Sequence, residues 1–119
     1  MLRVSVEIVP GGRGGVRVVR AGGELDVAAA PDLLPRVPEL VAGAAGVVLD
    51  LTPVAFLDSS GVRLIDRFAR ECGDRGTPFA VVAPPEGITR RVLDIVGFGP
   101  PLVLEDLEAA VRAVRSASA

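Results

Sequence analysis

The sequence predicts an α/β fold: a mixed, mostly parallel sheet of four to five strands, opened by an N-terminal hairpin and carrying about four helices. Three observations predict it. The first stretch alternates apolar and polar residues with a period of two and runs into a glycine-rich turn. Two later apolar runs, "GVVLDL" and "TPFAVVA", are short and nearly continuous, as strands covered on both faces are. Around them the apolar spacing becomes helical, so strands and helices alternate along the chain, the pattern of right-handed crossovers in a parallel sheet.

The elements follow in order. Leu2, Val4, Val6 and Ile8 alternate with Arg3, Ser5 and Glu7, which predicts a half-buried strand. "PGGRGG", Pro10 to Gly15, is a turn, and Val16 to Ala21 reads as the second hairpin strand, ended by Gly22 and Gly23. Ala28 to Ala42 spaces Leu33, Leu34, Val37, Leu40 and Val41 on one helical face. Pro31 suits a first turn, but Pro35 and Pro38 each cost about 3 kcal/mol in a helix interior, so this helix is expected to kink or break near them. Gly46 to Leu51 is a buried strand, and "TPVAFLD" a connection. From Ser60 to Cys72 an apolar stripe of Val62, Ile65, Phe68, Ala69 and Cys72 predicts a helix stopped by Gly73, with Asp66 and Arg70 as an i,i+4 pair.

Thr77 to Ala83 is the next strand. Pro84 and Pro85 open a helix that presents Ile88, Val92, Ile95 and Val96 and closes at Gly97. Pro101 to Leu104 is a short edge strand. Asp106 to Arg115 forms a last helix, with Leu107, Ala110, Val111 and Val114 inward and a Glu108–Arg112 pair outside. Neither a repeat nor a linker interrupts this order, so residues 1–115 are expected to be one domain and residues 116–119 a frayed tail.

Composition narrows the chemistry. Half of the 119 residues are hydrophobic, enough for a core, and the net charge of −2 gives no basic footprint for nucleic acid. All 13 positive residues are arginine, and histidine, lysine and tyrosine are absent. Ser-His-Asp and Cys-His catalysis, a zinc site of nitrogen and sulfur ligands, and a lysine Schiff base are therefore excluded within this chain. No metal or other cofactor is expected. One cysteine, Cys72, cannot form an internal disulfide, which fits a reducing compartment. The N-terminal residues lack the apolar block of a signal peptide, and no run approaches a membrane span, so a cytoplasmic protein without membrane insertion is expected.

"FLDSSGVRLI", Phe56 to Ile65, concentrates polar residues at a helix start. A single N-cap needs one of Asp58, Ser59 and Ser60; three in a row exceed that need. Glycine-rich "GGRGG" lacks the Lys-Ser/Thr ending of a phosphate loop and reads as a hairpin turn. Asp26 and Asp58 follow apolar stretches and should stand at strand ends, either capping turns or shaping a site beside Ser60. No second catalytic group is readable for an aspartate acid–base pair.

The element order and three stretches, "GGELD" (Gly22 to Asp26), "VVLDLTPVAFLDSSGVRLI" (Val47 to Ile65) and "ITRRVLDIVGF" (Ile88 to Phe98), resemble the STAS domain family of anti-sigma factor antagonists. The resemblance spans nearly the whole chain. It implies helices chiefly on one sheet face. It also implies a non-enzymatic role, as a monomer or weak dimer: the unphosphorylated domain binds an anti-sigma factor that is a serine kinase, and a sigma factor is released. Phosphorylation of the serine before the glycine, here Ser60, abolishes binding, and a serine phosphatase restores it. Asp26, Asp58, Ser59, Gly61 and Arg63 would shape that partner surface. The resemblance also allows another role, regulatory subunit of a lipid-transport ATPase; the intact Asp58-Ser59-Ser60-Gly61 favours the first. Two departures stand out. Arg63 occupies a position where the family commonly has glycine. The first helix carries Ala29 where a threonine cap is usual, together with Pro35 and Pro38.

Overall fold

The computed structural model describes residues 2–99 and 102–118. Among them are six strands: β1 (Arg3–Val9), β2 (Val16–Leu25), β3 (Gly46–Asp50), β4 (Val54–Leu57), β5 (Phe79–Val82) and β6 (Val103–Leu104). The helices are α1 (Ala30–Leu33), α2 (Val37–Val41), α3 (Ser59–Arg75), α4 (Ile88–Ile95) and α5 (Leu107–Ser118). The sheet order is β1-β2-β3-β5-β6, with β4 pairing β2 off this path. Only the β1–β2 hairpin is antiparallel; β2–β3, β2–β4, β3–β5 and β5–β6 are parallel.

Proline placement explains the first helix. Pro31, Pro35 and Pro38 each occupy a first-turn position of a separate helical segment: α1, a 3₁₀ turn over Leu34–Arg36, and α2. In a first turn the missing N–H is not needed, so the predicted helix is divided at the prolines as expected. The 3₁₀ turn also rotates Leu34 outward, to 42% exposed, while Leu33, Val37, Leu40 and Val41 remain buried. Arg17 on β2 closes α2, donating Nη1 hydrogen bonds to the carbonyls of Leu40 (2.8 Å) and Ala42 (2.9 Å).

Several boundaries differ from the sequence expectation. β2 continues through Gly22 and Gly23 to Leu25; it pairs β3 up to Arg20 and β4 from Gly23 on, with a bulge in the β4 pairing between Gly23 and Glu24. "VAFL" is strand β4 rather than connection, which makes six strands in place of four to five. α3 passes through Gly73 and ends at Gly76, whose φ of 66° is the left-handed C-cap conformation. Its buried stripe is Gly61, Leu64, Ile65, Phe68 and Cys72. On α4 the buried residues are Thr89 and Leu93, whereas Ile88, Ile95 and Val96 are exposed. α5 runs past Arg115 to Ser118, so residues 116–118 are helical; Ala119 and Pro101 lie outside the described residues. On β1, Val4 packs on the core but Val6 and Ile8 are exposed, so the strand is less covered than its alternation suggests.

α1 to α4 cover one sheet face, burying Val19, Ala21, Val47, Leu49 and Val81 against Leu33, Val37, Ile65, Phe68 and Leu93. The rings of Phe68 and Phe79 stack at 6.1 Å, joining α3 to β5. Among the described residues α5 alone covers the other face, with Ala110 and Val114 on Val16, Val18, Val48, Ala80 and Val82. Beside it the buried Asp50 carboxylate accepts hydrogen bonds from Arg20 Nε (3.0 Å) and from the Thr52 hydroxyl and amide.

Candidate functional site

The parallel pairing of β2 with β4 sets Leu25 against Leu57. Asp26 and Asp58 each come next in the chain, so both stand at carboxyl ends of paired strands, the edge of a parallel sheet where sites gather. Asp58 is the N-cap of α3. Its Oδ1 accepts the Ser60 amide at 2.8 Å and the Gly61 amide at 3.4 Å, and its Oδ2 accepts the Val27 amide at 3.1 Å. Asp26 closes the turn that leads into α1, its Oδ1 accepting the amides of Ala28 (3.1 Å) and Ala29 (3.0 Å), while Ala29, the N-cap of α1, makes no side-chain cap bond.

Gly61 is where α3 touches the sheet. A Cβ there would collide with the Leu25 carbonyl oxygen and the Leu57 side chain, so only glycine lets the helix start this close to the strand ends. With Asp58 capping and Gly61 packing, Ser59 and Ser60 are left over. Ser59 is exposed and Ser60 half-exposed, and neither hydroxyl has a hydrogen-bond partner among the described residues.

Ser60 and Arg63 lie one turn apart on α3 and line a shallow recess of about 170 Å³ with Val27, Ala30, Pro31 and Leu34. Arg63 is exposed and makes no ion pair among the described residues. Val27 is 72% exposed and Leu34 42%, so the hydroxyl and the guanidinium sit in an apolar surround. Asp26 is not part of this recess; it lines a separate one with Leu2, Glu24, Ala28, Ala29 and Asp32. Val27 and Leu34 escaped the sequence reading. A valine outside any periodic face, directly after a capping aspartate, was the available signal for Val27. Leu34 looked like core until the proline beside it turned the chain.

The described residues hold no cluster of His, Cys, Asp and Glu that could bind a metal, and none of their helices is long and apolar enough to cross a membrane. Cys72 is buried, and burial pushes its thiol up to about 12, so it offers no nucleophile.

The deciding comparison is with families of known domains: the STAS domain matches residues 7–111. The chain belongs to the STAS domain family. Its relatives include the anti-sigma-F factor antagonist RsfB of Mycobacterium tuberculosis, 32% identical over 94 residues, which cover 78% of this chain and 75% of that protein. Among solved structures, an anti-sigma factor antagonist from Mycobacterium paratuberculosis superposes with a TM-score of 0.84 at 32% identity, covering 97% of this STAS domain and 95% of that chain. The anti-sigma factor antagonist SpoIIAA in its unphosphorylated form superposes with a TM-score of 0.77 at 24% identity, covering 96% and 97%, a likeness of fold. The fold expected from the sequence is thus the fold found, with helices chiefly on one face and α5 on the other.

Proposed function

We propose that this STAS domain is an anti-sigma factor antagonist whose binding is switched by phosphorylation of Ser60. Unphosphorylated, it occupies a cytoplasmic anti-sigma factor and so frees a sigma factor. The anti-sigma factor, acting as a serine kinase, phosphorylates Ser60 and ends the contact, and a serine phosphatase restores it. The domain is the substrate of these enzymes and performs no catalysis itself. The names of its relatives at 32% identity support the antagonist role.

The observation that carries the switch is the division of labour at the start of α3. Asp58 takes the cap and Gly61 the close packing, so the Ser60 hydroxyl is structurally idle on a surface ringed by Val27, Pro31 and Leu34. A phosphate there adds roughly −1.5 to −2 charges. The positive end of the helix dipole at the start of α3 tolerates an anion, so the fold survives. An apolar partner surface does not: leaving a charge buried and unpaired costs several kcal/mol, and each 1.4 kcal/mol is tenfold in affinity. An on/off response then needs no conformational change. Arg63, one turn away, answers the added charge or a partner carboxylate.

Intact mass after incubation with ATP and candidate anti-sigma kinases tests the proposal. Wild type should gain one phosphate and Ser60→Ala none; a gain that persists in Ser60→Ala sinks the assignment. Affinity capture from the host should recover a small ATP-binding kinase, and recovery of a transport ATPase with membrane subunits would overturn the antagonist role.

A further inference from the structure

β1 is an outer strand of the sheet, paired on one side by β2 and on the other by nothing among the described residues. Its free edge is seven residues long, and an exposed edge of that length is a template for another strand. Its side chains have an order of their own. Val4, Val6 and Ile8 point to the α1–α4 face, opposite Ala21, Val19 and Arg17 of β2. Arg3, Ser5 and Glu7 point to the α5 face, opposite Gly22, Arg20 and Val18. Arg3 and Glu7 are exposed, have no charged neighbour across on β2 and make no ion pair among the described residues. Val6 is 42% and Ile8 63% exposed, which is costly apolar surface for a strand that ends a sheet.

We propose that the β1 edge binds the β1 edge of a second copy of this chain, antiparallel about a two-fold axis at Ser5. A two-fold perpendicular to the sheet keeps each residue on its own face, so opposing positions must sum to an even number. Centring on Ser5 sets Arg3 against Glu7 of the second copy, twice by symmetry, and Val4 against Val6, also twice. Leu2 then meets Ile8. Both unpaired charges find opposite charges directly across, and the exposed valines and isoleucine are covered by apolar residues. Centring on Val4 leaves Arg3 opposite serine, and centring on Val6 pairs more residues but sets Arg3 against Val9. Parallel pairing in register brings Arg3 near Arg3 and Glu7 near Glu7. The charge pattern therefore selects one arrangement, in which main-chain hydrogen bonds provide attraction and the two ion pairs fix the register.

The interface lies on β1 and does not use Ser60 or the residues of its recess, so it stands or falls independently of the phosphorylation switch. Sedimentation velocity on the full chain from micromolar to millimolar concentration tests it. Wild type should show a monomer–dimer equilibrium. Arg3→Glu and Glu7→Arg each place like charges opposite one another at both symmetric positions and should weaken association by roughly tenfold or more. The double swap Arg3→Glu/Glu7→Arg restores opposite charges and should recover the wild-type constant, with circular dichroism reporting that every variant is folded. A wild type that stays monomeric throughout, a dimer that both single variants leave intact, or folded single variants whose loss the double swap does not repair would each overturn the proposal.

Discussion

The Asp58 carboxylate accepts the Val27 amide at 3.1 Å, across 31 residues of sequence, while its other oxygen accepts the Ser60 amide. One side chain therefore holds the start of α3 and the β2–α1 loop together, and those two segments form the recess around Ser60. Asp58→Ala should lose a cap worth about 1 kcal/mol and the hydrogen bond to the Val27 amide, worth about 1 kcal/mol more, for a total of about 2 kcal/mol. Urea denaturation of the variant checks the magnitude. A loss no larger than that of Asp26→Ala, whose carboxylate closes only the local turn before α1, would mean that the bridge to Val27 contributes nothing.

Gly61 and Gly73 lie on the same helix and should respond oppositely to alanine. Alanine is favoured over glycine in a helix interior by about 1 kcal/mol. At Gly73 a Cβ meets nothing within 4 Å, so Gly73→Ala should stabilise by about 0.5–1 kcal/mol. At Gly61 the added carbon collides with the Leu25 carbonyl and with Leu57, and overpacking costs about 1–3 kcal/mol, so the net effect is destabilising. Denaturant midpoints of the two variants should fall on opposite sides of wild type.

The contrast between these glycines shows where the sequence is legible. Periodicity located α3, but which glycine ends it depends on backbone conformation, and only Gly76 adopts the left-handed cap. β4 was invisible because it has four residues, with Ala55 and Phe56 exposed between buried Val54 and Leu57, too few for a period to emerge. On α4, eight residues make barely two turns, and a stripe of Ile88, Val92 and Ile95 fitted helical spacing as well as the true face of Thr89 and Leu93. At the site, the crowd of caps at Asp58 to Ser60 was readable because capping is local chemistry. Val27 was not, since it reaches Ser60 only through the pairing of β2 with β4.

Alkaline pH should report on one residue. Burial, aided by the Glu71 carboxylate and opposed by Arg75, pushes the Cys72 thiol from its ordinary 9.0 to about 12. The fold thus prefers the neutral thiol, and this contribution is complete below about pH 9. It declines as pH rises from 9 to 12, because the unfolded chain gains by ionising first. The sequence has no lysine, tyrosine or histidine to obscure that window. Stability of wild type should fall across it, while that of Cys72→Ala, lower at neutral pH through the lost packing, should stay nearly level.

Arg63 should tune the charge of a phosphate on Ser60. Asp58, two residues before, opposes the dianion, and the Arg63 guanidinium one turn later favours it. A phosphoserine loses its second proton near pH 6. In phosphorylated Arg63→Ala that loss should move to higher pH by about half a unit relative to phosphorylated wild type, read from the phosphorus NMR shift. Identical titrations would assign Arg63 to the partner side of the surface, where the binding constant of Arg63→Ala is the measurement to make.

Ser60→Glu separates the fold from the switch. A carboxylate in the first turn of α3 meets a positive helix end, and the wild-type hydroxyl supplies no hydrogen bond to lose. Its denaturant midpoint should therefore match wild type within about 0.5 kcal/mol of stability. In the proposed switch, binding to the anti-sigma factor covers the recess beside Val27 and Leu34, where an unpaired charge is several times costlier than the whole stability change. Affinity should fall about 100-fold or more, while Ser60→Ala should bind as wild type does. Calorimetric titration of both variants against the captured partner decides the matter. Ser60→Glu binding like wild type would remove charge as the signal, whether or not Ser60 is phosphorylated.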